Sequence, residues 1–370
     1  MEVYIELIIL LYALSFFLPK DTRKGRKWII SIMCVALYLI YILRSYTVGV
    51  DIEGYCAAYN KFDKINIADT TSTYLERGYV FIMQICNTLG FTFRGFMAIL
   101  YVVLLGPLAL FFKRYSRDLN LSFLIFICFQ FFVFTISGIR QSLAIGLCIF
   151  AFLIAQRKGI KPLLCYVLII IAACNIHQSS IVFFPTYWII RTQLNKKLLF
   201  IYFIGATIGA FIRRPLNAYM IATELSPYEI QDNLTIGSTF VLMLIATGYV
   251  IYNRDKECFR SDLNIVAYPN RSKHEYIKLS MSSFVNMMII CLLILLTFSG
   301  TIMMRASLYY EIALMVLVPG IISSLKEGQA ILFKVAISVV LILIFVVTVL
   351  LPNQFDIVPY IFADTLEFFK

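Results

Sequence analysis

Residues 121–155 read "LSFLIFICFQFFVFTISGIRQSLAIGLCIFAFLIA" and contain a single charged side chain, that of Arg140. A helix needs about 20 apolar residues to cross the hydrocarbon core of a bilayer, so this stretch is tight for two spans that turn near Gly138. Similar apolar runs recur along the whole chain of 370 residues, which is 61% hydrophobic with a mean hydropathy of +0.86. We therefore predict an all-α polytopic integral membrane protein with a single transmembrane domain over residues 1–370.

The apolar runs predict about twelve transmembrane helices. Their expected bounds are 3–19, 28–44, 95–112, 120–137, 140–156, 162–176, 178–190, 197–212, 236–252, 279–299, 306–324 and 329–351. The loops that follow every second span are basic, and basic loops remain on the cytoplasmic side of a membrane. Both termini are then expected to face outward. The net charge of +11 is explained in the same way, without a nucleic-acid partner.

Two outer loops are expected to be structured. The first covers residues 45–94 and contains amphipathic helices. Within it, residues 76–90 predict a short outer or re-entrant helix, because a full crossing there would move the basic loop at 113–117 to the outside. The second outer loop, residues 213–235, is a possible lid.

Residues 162–190 are also too few for two full spans, so both tight regions must turn below the outer surface. Backbone that turns at membrane depth is tolerated where it is buried in protein or lines a watery cavity. We therefore expect a cavity that opens to the outside.

Arginines collect at the outer ends of the predicted spans, against the usual charge bias. A lone arginine there either snorkels to the interface, pairs with an internal acid, or lines a cavity for an anion. A planar guanidinium suits phosphate, which it can hold with two parallel hydrogen bonds. The candidate pyrophosphate-binding residues are Arg44, Arg140 with its neighbour Gln141, Arg214 and Arg305.

Acids, a histidine and tyrosines accompany these arginines on the outer side. Asp51 is the first candidate for a general base, with Glu76 or His177 second. His177 is equally well explained as a packed, neutral side chain. Tyr55 and Tyr59 recur at helical spacing, which is typical of an aromatic belt at the membrane interface or of stacking on sugars. No sequence motif indicates a metal or another cofactor, and we expect neither.

Several segments, taken in order, resemble a known family. They are "LRSYTVGVDIEGYCAAYNKF", "ERGYVFIMQICNTLG", "TISGIRQSLA", "NIHQSS" and "MMRASLYYEIALMVLVP". The segments share four features: Gly-x-Asp before a tyrosine, Glu-x-Gly-Tyr, Ile-Arg-Gln, and a histidine about 37 residues after the last of these. In this combination the chain resembles the EpsG-type polysaccharide polymerases of the Wzy group. The resemblance covers roughly residues 40–320, and its motifs add Tyr79 and Tyr309 as sugar-binding candidates.

The resemblance implies a membrane glycosyltransferase that polymerises lipid-linked repeat units of O-antigen or a related surface polysaccharide. The glycan chain would move from undecaprenyl pyrophosphate to the non-reducing end of another lipid-linked unit. For this transfer we hypothesise a single inverting displacement without a metal. The implied place is the bacterial plasma (inner) membrane with the site facing the periplasm or exterior, and the implied fold includes a GT-C-like arrangement. Expected partners are these glycans, membrane lipids and a chain-length regulator. An O-antigen ligase and a flippase of lipid-linked sugars are the alternatives.

Overall fold

The computed structural model describes residues 1–19, 22–62, 75–129, 131–223, 238–260, 263, 276–298 and 302–370. Within these ranges the regular elements are helices, and only isolated β-bridges occur besides them. The α-helices are α1 Glu2–Phe17, α2 Arg23–Leu43, α3 Ile52–Lys61, α4 Arg77–Thr88, α5 Phe93–Tyr115, α6 Leu119–Cys128, α7 Phe131–Ser137, α8 Ile139–Ala155, α9 Ile160–Ile176, α10 Thr186–Ile189, α11 Lys196–Ala222, α12 Ser238–Tyr252, α13 Glu257–Arg260, α14 Met281–Phe298, α15 Leu308–Glu311, α16 Leu314–Ile322 and α17 Glu327–Phe345. The predicted all-α class is confirmed.

Five of the described helices are long and apolar enough to cross a membrane: Arg23–Leu43, Phe93–Tyr115, Lys196–Met220, Met281–Phe298 and Glu327–Leu350. Two bent helix pairs raise the number to as many as seven, and three shorter apolar helices of 10–17 residues accompany them. The protein is therefore a multi-pass membrane protein. The higher count of about twelve spans stays a prediction.

The predicted span at 178–190 is not one helix. Residues Gln178–Phe183 form a 3-10 helix, and the single turn of α10 follows. Pro185 separates the two, since proline has no backbone N–H to donate and interrupts a regular helix. The hydroxyl of Tyr166 donates to the Phe183 carbonyl over 2.6 Å and so gives a hydrogen-bond partner to a carbonyl at the interruption of the helix.

The second predicted outer loop begins later than expected. Helix α11 continues without interruption to Ala222, so residues 213–222 extend an apolar helix and do not start a loop. Residues 224–237, which include most of the predicted lid, lie outside the described residues.

Helices α6 and α7 form the buried centre of the molecule. Every residue of both helices is buried, with α1, α16 and α17 packed against α6. A helix that is apolar all round needs protein or lipid on every side, and here protein supplies it. Phe129, at the end of α6, and the turn at Gly138 are therefore enclosed by protein, as expected for backbone that bends at membrane depth.

A lysine within a candidate span is paired with an acid at the start of α6. Lys334 on α17 forms an ion pair with Asp118, the residue that caps the start of α6. Charged side chains inside a membrane are costly unless they are paired, so this contact explains how α17 tolerates a lysine.

A segment that no apolar pattern marked, residues 351–370, packs along part of residues 45–94. Its backbone carbonyls at Asp356 and Ile361 accept from the amides of Gly49 and Ser45, over 3.0 and 2.7 Å. Further along, the Phe368 carbonyl accepts from the Thr92 amide over 3.0 Å. We call residues 351–370 the C-terminal segment. It fixes both the turn before α3 and the turn before α5.

Candidate functional site

An arginine, a glutamate and a histidine from three separate parts of the chain meet at one end of the α8–α9 hairpin. The Arg140 Nη1 atom lies 2.6 Å from Glu76 Oε2, and His177 Nδ1 lies 2.9 Å from Glu76 Oε1. The backbone amide of Gln178 donates to the same Oε1 over 3.3 Å. Glu76 thus bridges the first turn of α8 to the residue that ends α9. We call Arg140, Glu76 and His177 the bridge cluster.

The side chains of the bridge cluster are largely, but not wholly, withdrawn from solvent. Arg140 is 18% exposed, Glu76 is 11% exposed and His177 is 24% exposed. Partial burial strengthens the attraction between opposite charges, and the remaining exposure leaves room for a ligand to approach.

Gly78 allows α4 to approach α9 closely enough for the bridge cluster to form. A methyl group on Gly78 would lie 2.7 Å from the Asn175 carbonyl oxygen and 2.8 Å from its Cβ. Only a residue without a side chain fits there, which gives the Glu-x-Gly-Tyr pattern a physical reason.

We expect Gly78→Ala to push α4 away from α9 and to separate Glu76 from His177. The free energy of unfolding should fall by about 1–3 kcal/mol. Gly54→Ala in α3 is the control, since nothing lies within 4 Å of its added methyl group. Thermal melting of the purified variants measures the first effect. Equal melting temperatures for the two variants would contradict the proposed close approach.

The bridge cluster extends toward the first outer loop through Tyr55 and Ser137. Arg140 Nε donates to the Tyr55 hydroxyl over 3.0 Å, and the guanidinium carbon lies 5.5 Å from the centre of that ring. The Ser137 hydroxyl accepts from the Asp51 amide over 3.2 Å and lies 3.5 Å from Asp51 Oδ2. Asp51 is exposed, and it is therefore accessible beside the cluster.

On its other side the cluster adjoins the segment before α15. Gln141 Nε2 donates to the Arg305 carbonyl over 2.8 Å. The hydroxyls of Ser179 and Tyr309 are hydrogen-bonded over 3.1 Å. The Arg305 guanidinium lies 5.8 Å from the centre of the Phe134 ring. The predicted residues Asp51, Tyr55, Glu76, Arg140, Gln141, His177, Arg305 and Tyr309 thus belong to one connected region.

The carboxyl group of Glu76 is ionised over the whole physiological pH range. Burial raises its pKa, but the hydrogen bond from His177 and the charge of Arg140 outweigh burial and lower the pKa from 4.5 to about 2. A carboxylate with so low a pKa holds a proton poorly. Glu76 is therefore better suited to orient its two neighbours than to act as the general base.

The ionised Glu76 also determines which ring nitrogen of His177 carries the proton. A carboxylate can only accept hydrogen bonds, so Nδ1 of the ring donates to it. In the neutral ring the other nitrogen, Nε2, then carries the lone pair and can accept a proton. The same arrangement of a carboxylate behind a histidine orients the ring in many hydrolases.

We expect acid to remove the stabilisation that Glu76 contributes. Because its folded pKa is depressed, that contribution is complete above about pH 4.5 and disappears as the pH falls toward 2. The difference in melting temperature between wild type and Glu76→Gln should shrink across this window. Glu53→Gln, an exposed acid on α3, should show no such trend. A difference that stays constant from pH 6 to pH 3 would contradict the low pKa.

Four predicted residues lie apart from the bridge cluster or behind it. The Tyr59 ring is fully buried, stacks on Phe96 at 5.1 Å and donates its hydroxyl proton to the Phe91 carbonyl. Tyr79 is fully buried and packs edge-on against Tyr55 at 6.0 Å. Arg214 is exposed on α11. Tyr309, another predicted sugar contact, is covered in the same way as Tyr59 and Tyr79, with 1% of its surface exposed. These three tyrosines therefore belong to the core packing, and the expected contact with sugar is left to Tyr55, which is 8% exposed.

Arg44, the fourth, has its side chain turned into the protein. It is 0% exposed, and its guanidinium donates to the carbonyls of Tyr41 and Val48 and to the Tyr101 hydroxyl over 2.7–3.1 Å. Beside it, Gly49 has φ +105°, and an added methyl group would lie 3.0 Å from Arg44 Nη1. This placement favours a role in shaping the turn before Asp51 over the predicted contact with pyrophosphate.

Ser137, Gln178 and Ser179 contribute to the region although they were not among the predicted site residues. Ser137 contacts Asp51, the Gln178 amide contacts Glu76, and Ser179 contacts Tyr309. Their nearness in sequence to Arg140 and His177 was the available signal. Within the described residues, no three His, Cys, Asp or Glu side chains are grouped so that they could hold a metal ion.

A comparison with protein-family models identifies the family of the chain. A model of the EpsG family matches residues 27–362, nearly the whole chain. The chain belongs to the EpsG family, a Wzy-like family of polysaccharide polymerases. Searches of the curated proteins and of the solved structures gave no significant match.

Proposed function

We propose that the protein polymerises lipid-linked oligosaccharide repeat units of O-antigen or a related surface polysaccharide. The growing glycan would be transferred from undecaprenyl pyrophosphate to the non-reducing end of another lipid-linked unit. The observation that carries the proposal is the bridge cluster, which places a fixed cation next to an oriented histidine within a multi-pass membrane protein. Membership of a polysaccharide polymerase family supports it.

The arginine of the cluster suits the leaving group. When the bond between the anomeric carbon and the pyrophosphate oxygen breaks, negative charge develops on that oxygen. A preorganised guanidinium stabilises such charge most where water is scarce. A guanidinium has five N–H donors, so Arg140 can keep its hydrogen bonds to Glu76 and Tyr55 while it also donates to a phosphate oxygen. Arg305, in the adjoining segment, is the second candidate for this contact.

The attacking group would be a hydroxyl of the acceptor sugar. Its oxygen forms the new bond to the anomeric carbon, and its proton passes to a base. His177 fits through Nε2, and the exposed carboxylate of Asp51 is the alternative. A single displacement of this kind inverts the anomeric centre. Tyr55 is the candidate for contact with the sugar rings.

The proposed site faces the outside of a bacterial plasma membrane. The bridge cluster lies at one end of α8 and α9, and the loops at the other end of this hairpin include the basic residues Arg157, Lys158 and Lys161. Basic loops favour the cytoplasmic side, which puts the cluster on the opposite side.

The test is the length of surface glycan in a deletion strain complemented with the gene. A polymerase predicts single repeat units on the surface without the gene and long chains with it. An O-antigen ligase predicts polymer that never reaches lipid A, and a flippase predicts lipid-linked substrate held on the cytoplasmic side. Either result would overturn the proposal.

Independence from metal is tested separately in a reconstituted reaction. Polymerisation should continue in the presence of EDTA, because the Arg140 guanidinium takes the place of a metal ion at the leaving group. Loss of activity that a divalent ion restores would contradict this part of the proposal and leave the polymerase assignment intact.

A further inference from the structure

A second polar region lies far from the bridge cluster. It is a cavity of about 370 Å³ between the turn after α8, the turn after α10, the end of α12 with α13, and the start of α14. Five basic side chains line it together with one acid, Asp255: Lys158, Arg191, Arg254, Arg260 and Lys278. We call this the basic cavity. Its lining carries a clear excess of positive charge.

The basic cavity and the bridge cluster lie at opposite ends of the same helix. Arg140 is in the first turn of α8, whereas Lys158 follows its last residue, Ala155. A helix of 17 residues is about 25 Å long at 1.5 Å per residue. This distance is close to the thickness of a bilayer core, so the two regions belong to different membrane surfaces.

The walls of the basic cavity are held in place by internal hydrogen bonds. Arg191 donates to the Ala155 carbonyl over 2.6 Å, and its guanidinium carbon lies 3.4 Å from the centre of the Tyr187 ring. Ser283 donates to the Ile190 carbonyl over 2.9 Å, and the Ile277 amide donates to the Gln156 carbonyl over 2.8 Å. These bonds tie three of the four lining segments together, and α12 and α13 pack against α14. The cavity is therefore a built concavity and differs from a loose group of loop lysines.

Its chemistry suits one class of ligand. Guanidinium and ammonium groups with neighbouring hydroxyls, here those of Ser280 and Ser282, are the groups with which proteins hold phosphate oxygens. Basic concavities at the cytoplasmic surface of membrane proteins take up anionic lipid headgroups by the same means. We propose that the basic cavity binds a phosphate-bearing anion at the membrane surface opposite the candidate active site. The anion comes either from an anionic phospholipid headgroup or from solution.

The two sources are separated by two arms of one experiment on the purified full-length protein. In detergent, thermal melting is followed during titration with inorganic phosphate and with pyrophosphate. In nanodiscs of phosphatidylcholine with or without phosphatidylglycerol, retained lipid is counted by native mass spectrometry. A response in the first arm alone identifies a soluble anion, and selective retention of phosphatidylglycerol alone identifies a headgroup.

The decisive comparison uses two variants with the same loss of charge on the same surface. Lys158→Gln with Lys278→Gln changes the lining, whereas Lys161→Gln with Lys196→Gln changes exposed lysines outside it. We expect the lining variant to weaken binding at least about tenfold and the control variant by less than about twofold. Equal losses of affinity in both variants would mean that general surface charge attracts the anion. If wild type showed no saturable binding in either arm, the cavity would hold no such anion. Either result overturns the proposal.

Misfolding is excluded by requiring that the lining variant melts at the wild-type temperature in the absence of added anion. If it does not, the single variants Lys158→Gln and Lys278→Gln are compared with Lys161→Gln and Lys196→Gln in the same way. Failure of this inference leaves the proposed polymerase activity untouched, because no residue of the bridge cluster is altered.

Discussion

Polymerisation by Arg140→Lys is expected to be about a hundredfold slower than by wild type, with the protein still present in the membrane at its normal level. Lysine retains the charge but loses the planar fork that can hold Glu76 and Tyr55 and still face a phosphate. The measurement is the initial rate of chain extension in reconstituted membranes, with protein quantified by immunoblot.

Arg157→Lys is the matched control for this variant. It is the same substitution at an exposed arginine beyond the other end of α8, and its rate should remain within about twofold of wild type. Chains of wild-type length and yield from Arg140→Lys would show that the arginine does not contact the leaving group. Equal slowing of both variants would point to a general loss of folded protein.

His177→Gln is expected to slow polymerisation by a factor of about 10²–10⁴, the usual contribution of a general base. Glutamine retains a hydrogen-bond donor for Glu76 but cannot accept a proton. The variant should therefore lose the part of the pH–rate profile in which activity rises as the base deprotonates. A purely structural histidine would lower the rate at every pH without changing the shape of the profile.

Two further variants make this test decisive. His274→Gln replaces the other histidine of the chain and should leave both rate and profile unchanged. Asp51→Asn examines the competing base. If Asp51→Asn abolishes the pH-dependent part while His177→Gln retains it, the assignment of His177 is wrong and Asp51 takes its role.

The membrane class, the short helix at 76–90 and the choice of Arg140 could all be predicted from local patterns. An apolar run has a length that can be compared with a bilayer, and a lone charge within it stands out. The pairing of Arg140 with Glu76 could not be predicted, because 64 residues separate them and their meeting depends on the contact between Gly78 and Asn175. Sequence spacing contains no information on such a crossing of two helices.

Arg44 shows how the same reasoning fails. Its position after a predicted span placed it with the outer arginines, but its side chain turned inward because the carbonyls of Tyr41 and Val48 lie within its reach. The predicted span at 178–190 failed for a different reason. The residues there are apolar, which is all that hydropathy measures. The interruption at Pro185 and the turn at His177 are properties of the backbone, and hydropathy does not detect them.

The C-terminal segment sets an order for the assembly of the protein during synthesis. The turn that leads to Asp51 receives its backbone partners from Phe355 and Asp356, which leave the ribosome about three hundred residues later. At 5–20 residues per second, this delay is about 15–60 s. The earlier helices therefore enter the membrane with that turn unsupported. The turn before Asp51 therefore gains these backbone partners only after translation has passed α17.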